Sequence, residues 1–414
     1  TNTVFLQIAE PPFNNEPYQR VNVQVASGDI AVNIPAGQGV LNAEGALVGM
    51  VVAAAENRIY ISPVSEWIDD LLLANLELQS AELAAVLNAA IVPAVDAAPS
   101  IGDLWTPELG NAGIDVLHYD LSLRVEPVEP HIEGTAVLYM NTIYPNLVSF
   151  TLDLRDFMTV SAVRVNGTAA NLQQSERKIR IFLGQPQPFG ATLQVDIDYA
   201  GVIESVFSPY FPDSDIGLVE SPTRPSFGMI SEPDASSSWY PCNDHPADAA
   251  TYAFHLTIEQ PYDAVANGDP VAVRDNPDNT RTFDWEMRFP MATYLATVAI
   301  ADYELIETQT PDGKIIRNYV YAGADIAKMR EIFSGTEPAL NLLESLFGKY
   351  PYQNYGHVLV PLPGGALETQ TMVAMPENFM ERDQEGSVWF LVIHEMSHQW
   401  FGNNVRIALW QDIW

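Results

Sequence analysis

Basic residues are scarce in this sequence, and their scarcity limits what the protein can bind. Nineteen Lys and Arg stand against 53 Asp and Glu among 414 residues, which gives a formal net charge of −34 at pH 7. A surface of that charge repels phosphate backbones and anionic headgroups, so we expect neither nucleic acid nor acidic membrane as a partner. An acidic surface is typical of solubility adaptation in a saline or extracellular setting. We therefore predict an extracellular or cell-surface location, and the oligomeric state stays open.

Cysteines and long apolar runs are also missing. Cys242 is the single cysteine, which excludes an intrachain disulfide, and we expect it to be a buried, unreactive thiol. The longest uncharged apolar runs, such as 45–55, fall short of the roughly 18 to 20 residues that a membrane helix needs. The sequence therefore predicts no membrane span. Because it opens without Met or a leader pattern, we expect a processed chain or a fragment.

The residues that are present predict several folded domains. Hydrophobic residues make up 47% of the chain and charged residues 17%, and 414 residues are too many for one typical core. Residues 1–62 contain short β-rich runs between turn residues, and helical apolar spacing follows at 65–78 and 80–92. An Ala/Pro-rich linker then ends near residue 100. We predict a β-rich appendage with two helices over 1–100.

The pattern changes twice more along the chain. Residues 101–305 consist of short strands with frequent turn signals, which predicts an antiparallel β-sandwich or saddle-shaped sheet domain. Helical spacing appears from about 325 to 352, a strand pattern at 356–363, and an apolar helix at 387–402. We therefore predict a mixed α/β unit over 306–414.

Two histidines near the end of the sequence are one helical turn apart. His394, Glu395 and His398 form the pattern H-E-x-x-H, and positions i and i+4 share one helix face, so both imidazoles can bind one ion. Glu395 is rotated away from that ion and can act as general base on the attacking water. The five residues alone are a weak signal, because two histidines on an exposed helix face beside an ordinary Glu give the same pattern. The surrounding sequence therefore has to decide.

Those surroundings resemble the M1 family of zinc aminopeptidases. "HEMSHQWFGNNV" (394–405) follows "GGALETQ" (364–370), which stands where the family has its exopeptidase motif Gly-Ala-Met-Glu-Asn. The resemblance extends upstream over 109–125, 231–258 and 290–304, in the family's order. It implies a β-rich N-terminal domain followed by the start of a thermolysin-like catalytic domain.

The resemblance also implies roles for individual residues. His394 and His398 would bind Zn²⁺, and Glu395 would activate the water. Glu368 would bind the free α-amino group of the substrate, and Glu232 stands where the family places a second contact to that amine. A pocket closed by such carboxylates would measure one residue from the N-terminus, so peptides with a free N-terminus are the expected substrates.

The exopeptidase motif of this chain departs from the family at two positions. Small residues allow a peptide to approach closely, so the backbone of Gly364, Gly365 and Ala366 is expected to line the substrate as an edge strand. Leu367 replaces the family's Met, and Thr369 replaces its Asn. These replacements leave the preferred first residue open.

The third zinc ligand is expected outside this sequence. In the M1 pattern a Glu follows the histidine motif by eighteen residues, which places it at position 417, beyond Trp414. Asp412 comes too early and suits a supporting carboxylate better than a ligand. We expect this segment alone to bind zinc weakly and to be inactive. The alternative is a catalytically inactive M1-like protein that serves as a scaffold or surface assembly protein.

A second, weaker resemblance concerns residues 1–90. "IPAGQGVLNAEGALVGMVVA" (34–53) resembles the end of the second barrel of a trypsin-like or HtrA-like protease. Ala36 stands where that family has its nucleophilic Ser, so no acyl transfer is assigned here. The alternative is a small β appendage of no catalytic use.

Overall fold

The structure is a computed structural model that describes part of the chain. The described residues are 39–41, 47–55, 58–63, 94–128, 130–208, 215–362, 365–381 and 385–412. The first three ranges form an antiparallel sheet of three strands, namely β1 (Gly39–Leu41), β2 (Leu47–Ala55) and β3 (Arg58–Pro63). Ala36 and the two helices predicted within 65–92 lie outside the described residues.

Strands dominate the chain from residue 94 to residue 302. They are β4 (Val95–Asp96), β5 (Ile114–Glu126), β6 (His131–Thr142), β7 (Leu147–Asp153), β8 (Met158–Val165), β9 (Thr168–Ala169), β10 (Asn171–Gln174), β11 (Lys178–Gln187), β12 (Thr192–Val202), β13 (Val206–Phe207), β14 (Asp215–Glu220), β15 (Phe227–Ile230), β16 (Ala249–Glu259), β17 (Asp263–Ala266), β18 (Asp269–Asp275), β19 (Thr280–Ala292) and β20 (Thr297–Ala301). They confirm the strand-rich domain that the sequence predicts.

An eight-stranded sheet forms the centre of this region, in the order β18-β19-β16-β5-β6-β12-β8-β9. Alternate residues of its strands are buried, as in β16, where Tyr252, Phe254 and Leu256 lie in the core while His255 is partly exposed. This alternation buries one face of the sheet. The sheet is not wholly antiparallel, because β16 pairs with β5 in parallel.

Two smaller sheets share the hydrophobic core with the eight-stranded sheet. One has the order β10-β11-β7-β4 and the other the order β13-β14-β15-β20-β17. Strand β7 is buried along most of its length, and its Phe150 and Leu152 belong to the same core cluster as Tyr252 and Phe254. β15 ends at Ile230, two residues before Glu232. The buried strand therefore fixes the position of the Glu232 backbone.

The remaining elements form a mixed α/β unit. They are β21 (Tyr303–Gln309), β22 (Ile315–Tyr321), α1 (Ile326–Phe333), α2 (Thr336–Phe347), β23 (Asn354–Val360), β24 (Met372–Pro376) and α3 (Glu385–His398). The sheet order is β21-β22-β23-β24, and the last three strands are parallel, with α1 and α2 crossing from β22 to β23. The predicted domain boundary at 305/306 falls inside β21, and the domain limits stay a prediction.

The helical region predicted from about 325 to 352 is broken in two. The Asp325 carboxylate caps α1 by accepting a hydrogen bond from the backbone N–H of Lys328 at 3.1 Å. Between α1 and α2, Gly335 lies against the ring of Trp389, and a Cβ there would approach the ring to 2.3 Å. The break therefore lets α3 pack closely against this corner. Within the described residues, no helix has the length and apolar character that crossing a membrane requires.

Candidate active site

The last turn of α3 carries the two histidines of the H-E-x-x-H motif. His394 Nε2 and His398 Nε2 are 3.4 Å apart. Two nitrogens bound at about 2.0 to 2.1 Å to one tetrahedral zinc ion are separated by about 3.3 to 3.4 Å, so the pair fits zinc without rearrangement. The exposed ring of Phe390 stacks on His394, with 5.8 Å between ring centroids. The distance between the two imidazoles is therefore compatible with one shared zinc ion.

A backbone carbonyl fixes the orientation of His398. Its Nδ1 donates to the carbonyl oxygen of Phe401 at 3.1 Å, which leaves Nε2 as the unprotonated nitrogen that a metal needs. Gly402 follows with φ of 124°, and a Cβ at that position would lie 3.2 Å from His398 Nδ1. A larger residue there would disturb both the backbone and the histidine.

No third ligand joins the pair among the residues that the structure describes, where no group of three His, Cys, Asp or Glu is placed to hold a metal ion. Asp412 is exposed at the end of a short 3₁₀ turn, Trp410–Asp412. Asp103 anchors that turn by accepting a hydrogen bond from the backbone N–H of Trp410 at 3.1 Å. The expected ligand at position 417 stays a prediction.

Glu395 is buried beside the histidines, with 3% of its surface exposed. Burial and the nearby Glu368 carboxylate raise the pKa of Glu395 to about 8. The buried Tyr355 lies close enough to be influenced by its charge, and Tyr355 is itself hydrogen-bonded to His357 at 3.2 Å. The carboxylate predicted to be the general base thus lies in a poorly hydrated environment.

Glu232 follows β15 and points into the same cluster. It is 7% exposed, and its Oε2 atom is buried without a hydrogen-bond partner. Burial, together with the charges of Glu368 and Glu395, raises the pKa of Glu232 well above its ordinary value. The structure therefore brings the three predicted carboxylates together from three different elements. A buried carboxylate oxygen without a partner is costly, so Glu232 is suited to bind a cationic group.

Glu368 lies on the loop that precedes β24. Its Oε1 is 3.7 Å from His398 Nδ1, so the predicted amine anchor is adjacent to the predicted metal ligand. Leu367 and Ala374 close the loop by exchanging backbone hydrogen bonds of 3.0 Å in both directions. Gly365 is exposed and Ala366 partly exposed, while Gly364 lies outside the described residues. Their predicted contact with the substrate backbone stays a prediction.

Sequence reasoning missed the side chains that hold this loop. Gln399 donates to the Glu368 carbonyl oxygen at 3.0 Å and accepts from the Thr371 backbone N–H at 2.9 Å. Asn403 donates to the same Glu368 oxygen at 2.7 Å. Both amides stand in the quoted run "HQWFGNN", and polar residues this close to the histidine motif were the available signal.

The N-terminal β-rich domain holds the other side of the loop. Asn267 donates to the Gln370 carbonyl oxygen at 2.8 Å, and the Gly268 backbone N–H donates to Thr371 Oγ1 at 2.8 Å. Thr369, where the family has Asn, is buried, and its hydroxyl donates to the Met372 carbonyl oxygen. The Thr369 side chain therefore supports the turn.

Two profiles of one peptidase family match the chain. The profile described as Peptidase M1 N-terminal domain matches residues 116–295, and the one described as Peptidase family M1 domain matches residues 333–414. The crystal structure of an M1 zinc metallopeptidase from Deinococcus radiodurans is similar, at 31% identity and a TM-score of 0.67, over 76% of this chain and 70% of that one. The chain belongs to peptidase family M1. The two matches correspond to the N-terminal domain and the start of the catalytic domain that the sequence predicts.

Curated M1 relatives match over less of their own length. Aminopeptidase N of Lactobacillus helveticus is 23% identical over 72% of this chain and 35% of that protein. Endoplasmic reticulum aminopeptidase 1 of Homo sapiens is 27% identical over 72% of this chain and 33% of that protein. The chain thus spans about a third of the length of these relatives. M1 membership implies a Zn²⁺ cofactor, and the histidine pair fits it.

Proposed function

We propose that the polypeptide containing this segment is a zinc aminopeptidase that removes the N-terminal residue from peptides with a free α-amino group. The observation that carries the proposal is the unpartnered, buried Oε2 atom of Glu232, whose neighbours are the carboxylates of Glu368 and Glu395. A protonated amine supplies the donors and the positive charge that this cluster lacks. Peptides with a blocked N-terminus supply neither.

Each residue of the site has a different role in the proposed reaction. His394 and His398 hold the zinc ion, which when bound supplies a Lewis acid that polarises the scissile carbonyl and activates water. Glu395 takes the proton from the attacking water and passes it to the nitrogen of the leaving peptide. Because Glu395 is 3% exposed, bulk water competes little for that proton. Glu232 and Glu368 hold the α-ammonium group.

Structures of relatives support the proposed class of substrate. A Deinococcus radiodurans M1 zinc metallopeptidase variant has been crystallised bound to the substrate Tyr-Ser-Ala. A two-domain M1 zinc metallopeptidase variant has been crystallised bound to L-arginine. Both are 30% identical to this chain. These ligands are of the class proposed here.

Replacing Glu368 by Ala tests the proposal in the complete, zinc-loaded polypeptide. We expect kcat/KM for alanine p-nitroanilide to fall by at least about 10-fold, the loss expected for a charge-assisted contact of roughly 1.5 to 3 kcal/mol. Glu331→Ala is the matched control, because Glu331 is an exposed glutamate on α1. It should leave the kinetics unchanged.

The parent protein provides the complementary measurement. It should cleave free-amine anilides and leave N-acetylated peptides intact. Rapid cleavage of an N-blocked peptide would sink the aminopeptidase assignment. A zinc-loaded parent without activity on any peptide would favour the scaffold alternative.

A further inference from the structure

The loop that carries Glu368 depends on contacts from outside for its shape. Thr371 has φ of 65°, a left-handed conformation that a β-branched residue rarely adopts. The backbone N–H of Thr371 and its hydroxyl are both engaged, by Gln399 Oε1 and by the Gly268 N–H. These bonds thus hold Thr371 in a conformation that it would otherwise rarely adopt.

Two of the side chains that hold the loop come from the segment that follows the predicted zinc ligands. Gln399 directly follows His398, and Asn403 lies four residues further on. Both side-chain amides are fully buried, and both donate to one atom, the carbonyl oxygen of Glu368. A carbonyl oxygen has two lone pairs, so these two donors saturate it. The backbone of Glu368 therefore cannot shift without losing these two buried hydrogen bonds.

The remaining contacts tie the loop to a different part of the molecule. Asn267 and Gly268 belong to the turn between β17 and β18, in the N-terminal domain. They fix the loop relative to that domain, whereas Gln399 and Asn403 fix it relative to His398. The two sets of bonds thus control different distances.

We propose that Gln399 and Asn403 are positioning residues that set the distance between the amine anchor and the metal-binding histidines, and with it the number of residues removed per cleavage. This inference rests on the proposed aminopeptidase function. The Glu368 carboxylate and the His398 ring are 3.7 Å apart because the two amides hold the backbone of Glu368 against the end of α3. If the two amides no longer held the loop, peptides with longer or blocked N-termini would reach the histidines.

The test uses Gln399→Met and Asn403→Asp in the complete, zinc-loaded polypeptide. Gln399→Met keeps the side-chain length and removes both hydrogen bonds, and Asn403→Asp replaces a donor by an acceptor of the same shape. Asn404→Asp is the matched control, since Asn404 is the exposed neighbour. Three quantities are measured: zinc content, the ratio of kcat/KM for alanine p-nitroanilide to that for its N-acetyl and alanyl-alanine analogues, and amide hydrogen exchange at Thr371 in the metal-free protein.

We expect both variants to retain zinc, to raise KM more than they lower kcat, and to lose selectivity for the single free-amine residue by about 10-fold or more. Thr371 exchange should accelerate in Gln399→Met and stay unchanged in Asn404→Asp. Activity that falls equally on all substrates, with selectivity intact, would show a merely structural role and overturn the inference. Unchanged Thr371 exchange would overturn the contact itself. A parent without preference for free amines would instead refute the proposed function, and the exchange data would still judge the contact.

Discussion

Two groups of buried or partly buried acids in this chain are partnered in opposite ways. In the N-terminal domain, Asp153 is fully buried, and its two oxygens accept hydrogen bonds from Lys178, from Asn111 and from the backbone N–H of Asp244, at 2.6, 2.6 and 3.0 Å. We call Asp153 and Asp103 the paired group. Every oxygen of Asp153 has a donor, which is what burial of a charge requires.

The second group consists of Glu232, Glu368 and Glu395. These carboxylates face one another, one of the Glu232 oxygens has no partner, and burial with mutual repulsion raises the pKa of Glu232 and Glu395. Burial alone therefore does not distinguish the two groups. They differ in whether hydrogen-bond donors surround the carboxylate oxygens. The paired group stabilises the fold, whereas the unpaired group suits the cationic amine that we propose as its partner, at some expense of stability.

Removing the cation of the paired group should have the largest effect. Lys178→Met leaves Asp153 charged and buried, which is expected to cost about 3 to 5 kcal/mol of unfolding free energy. Lys349→Met is the control, because that side chain is 83% exposed and its ion pairs are 3.9 Å long. Urea unfolding measures both. Equal, small losses would show that the pairing of Asp153 contributes nothing special.

Asp103 provides the pH dependence of the paired group. Burial opposes its ionisation, but hydrogen bonds from His245 and from three backbone N–H groups outweigh burial and hold the Asp103 pKa well below its ordinary value. A carboxyl with a lowered pKa stabilises the fold above the unfolded pKa of about 3.9, and this contribution is lost as the pH falls. Asp103→Asn should therefore cost about 2 kcal/mol at pH 7.

The difference between wild type and Asp103→Asn should narrow below about pH 4, because the unfolded wild type then binds a proton that the folded form does not. Asp275→Asn, at an exposed site, is the matched control. Chemical unfolding at several pH values measures this. A constant difference between wild type and Asp103→Asn would contradict the assignment.

The unpaired group should respond in the opposite direction, with the smallest change in stability. Glu232→Gln removes a repelled carboxylate with one unpartnered oxygen, so in the chelator-treated protein the unfolding free energy should stay level or rise by up to about 1 kcal/mol. In the zinc-loaded enzyme the same change should raise KM for free-amine anilides by about 10-fold. A loss of stability comparable to that of Lys178→Met would abolish the distinction between the groups.

The sequence predicts local structure better than it predicts pairing. The alternation in β16 and the apolar period of α3 indicate the right elements, because both patterns follow from which face is buried. The packing of Trp389 on Gly335, between α1 and α2, escaped prediction, because the two residues are more than fifty positions apart. The parallel pairing of β16 with β5 also escaped, because no local pattern specifies a distant partner.

The candidate site shows the same limit. The M1 resemblance points to His394, Glu395, His398, Glu368 and Glu232, and the structure brings them together; their roles stay predictions. Gln399 and Asn403 were missed because their contribution lies in what their amides reach across the fold, and a buried bridging amide has the same letter as an exposed one. Such residues become visible only once Glu368 and His398 are placed side by side.

The pairing of β16 with β5 has a consequence for synthesis of the protein. The partner of His118 in β5 is Thr251 in β16. More than 130 further residues must therefore be synthesised before β5 can pair with β16. At about 5 to 20 residues per second, the nascent chain presents an open β edge for roughly 7 to 27 s. Open edges of this kind pair readily with other chains. During the interval between translating β5 and translating β16, this polypeptide is therefore exposed to pairing with other chains at that edge, which a chaperone would protect.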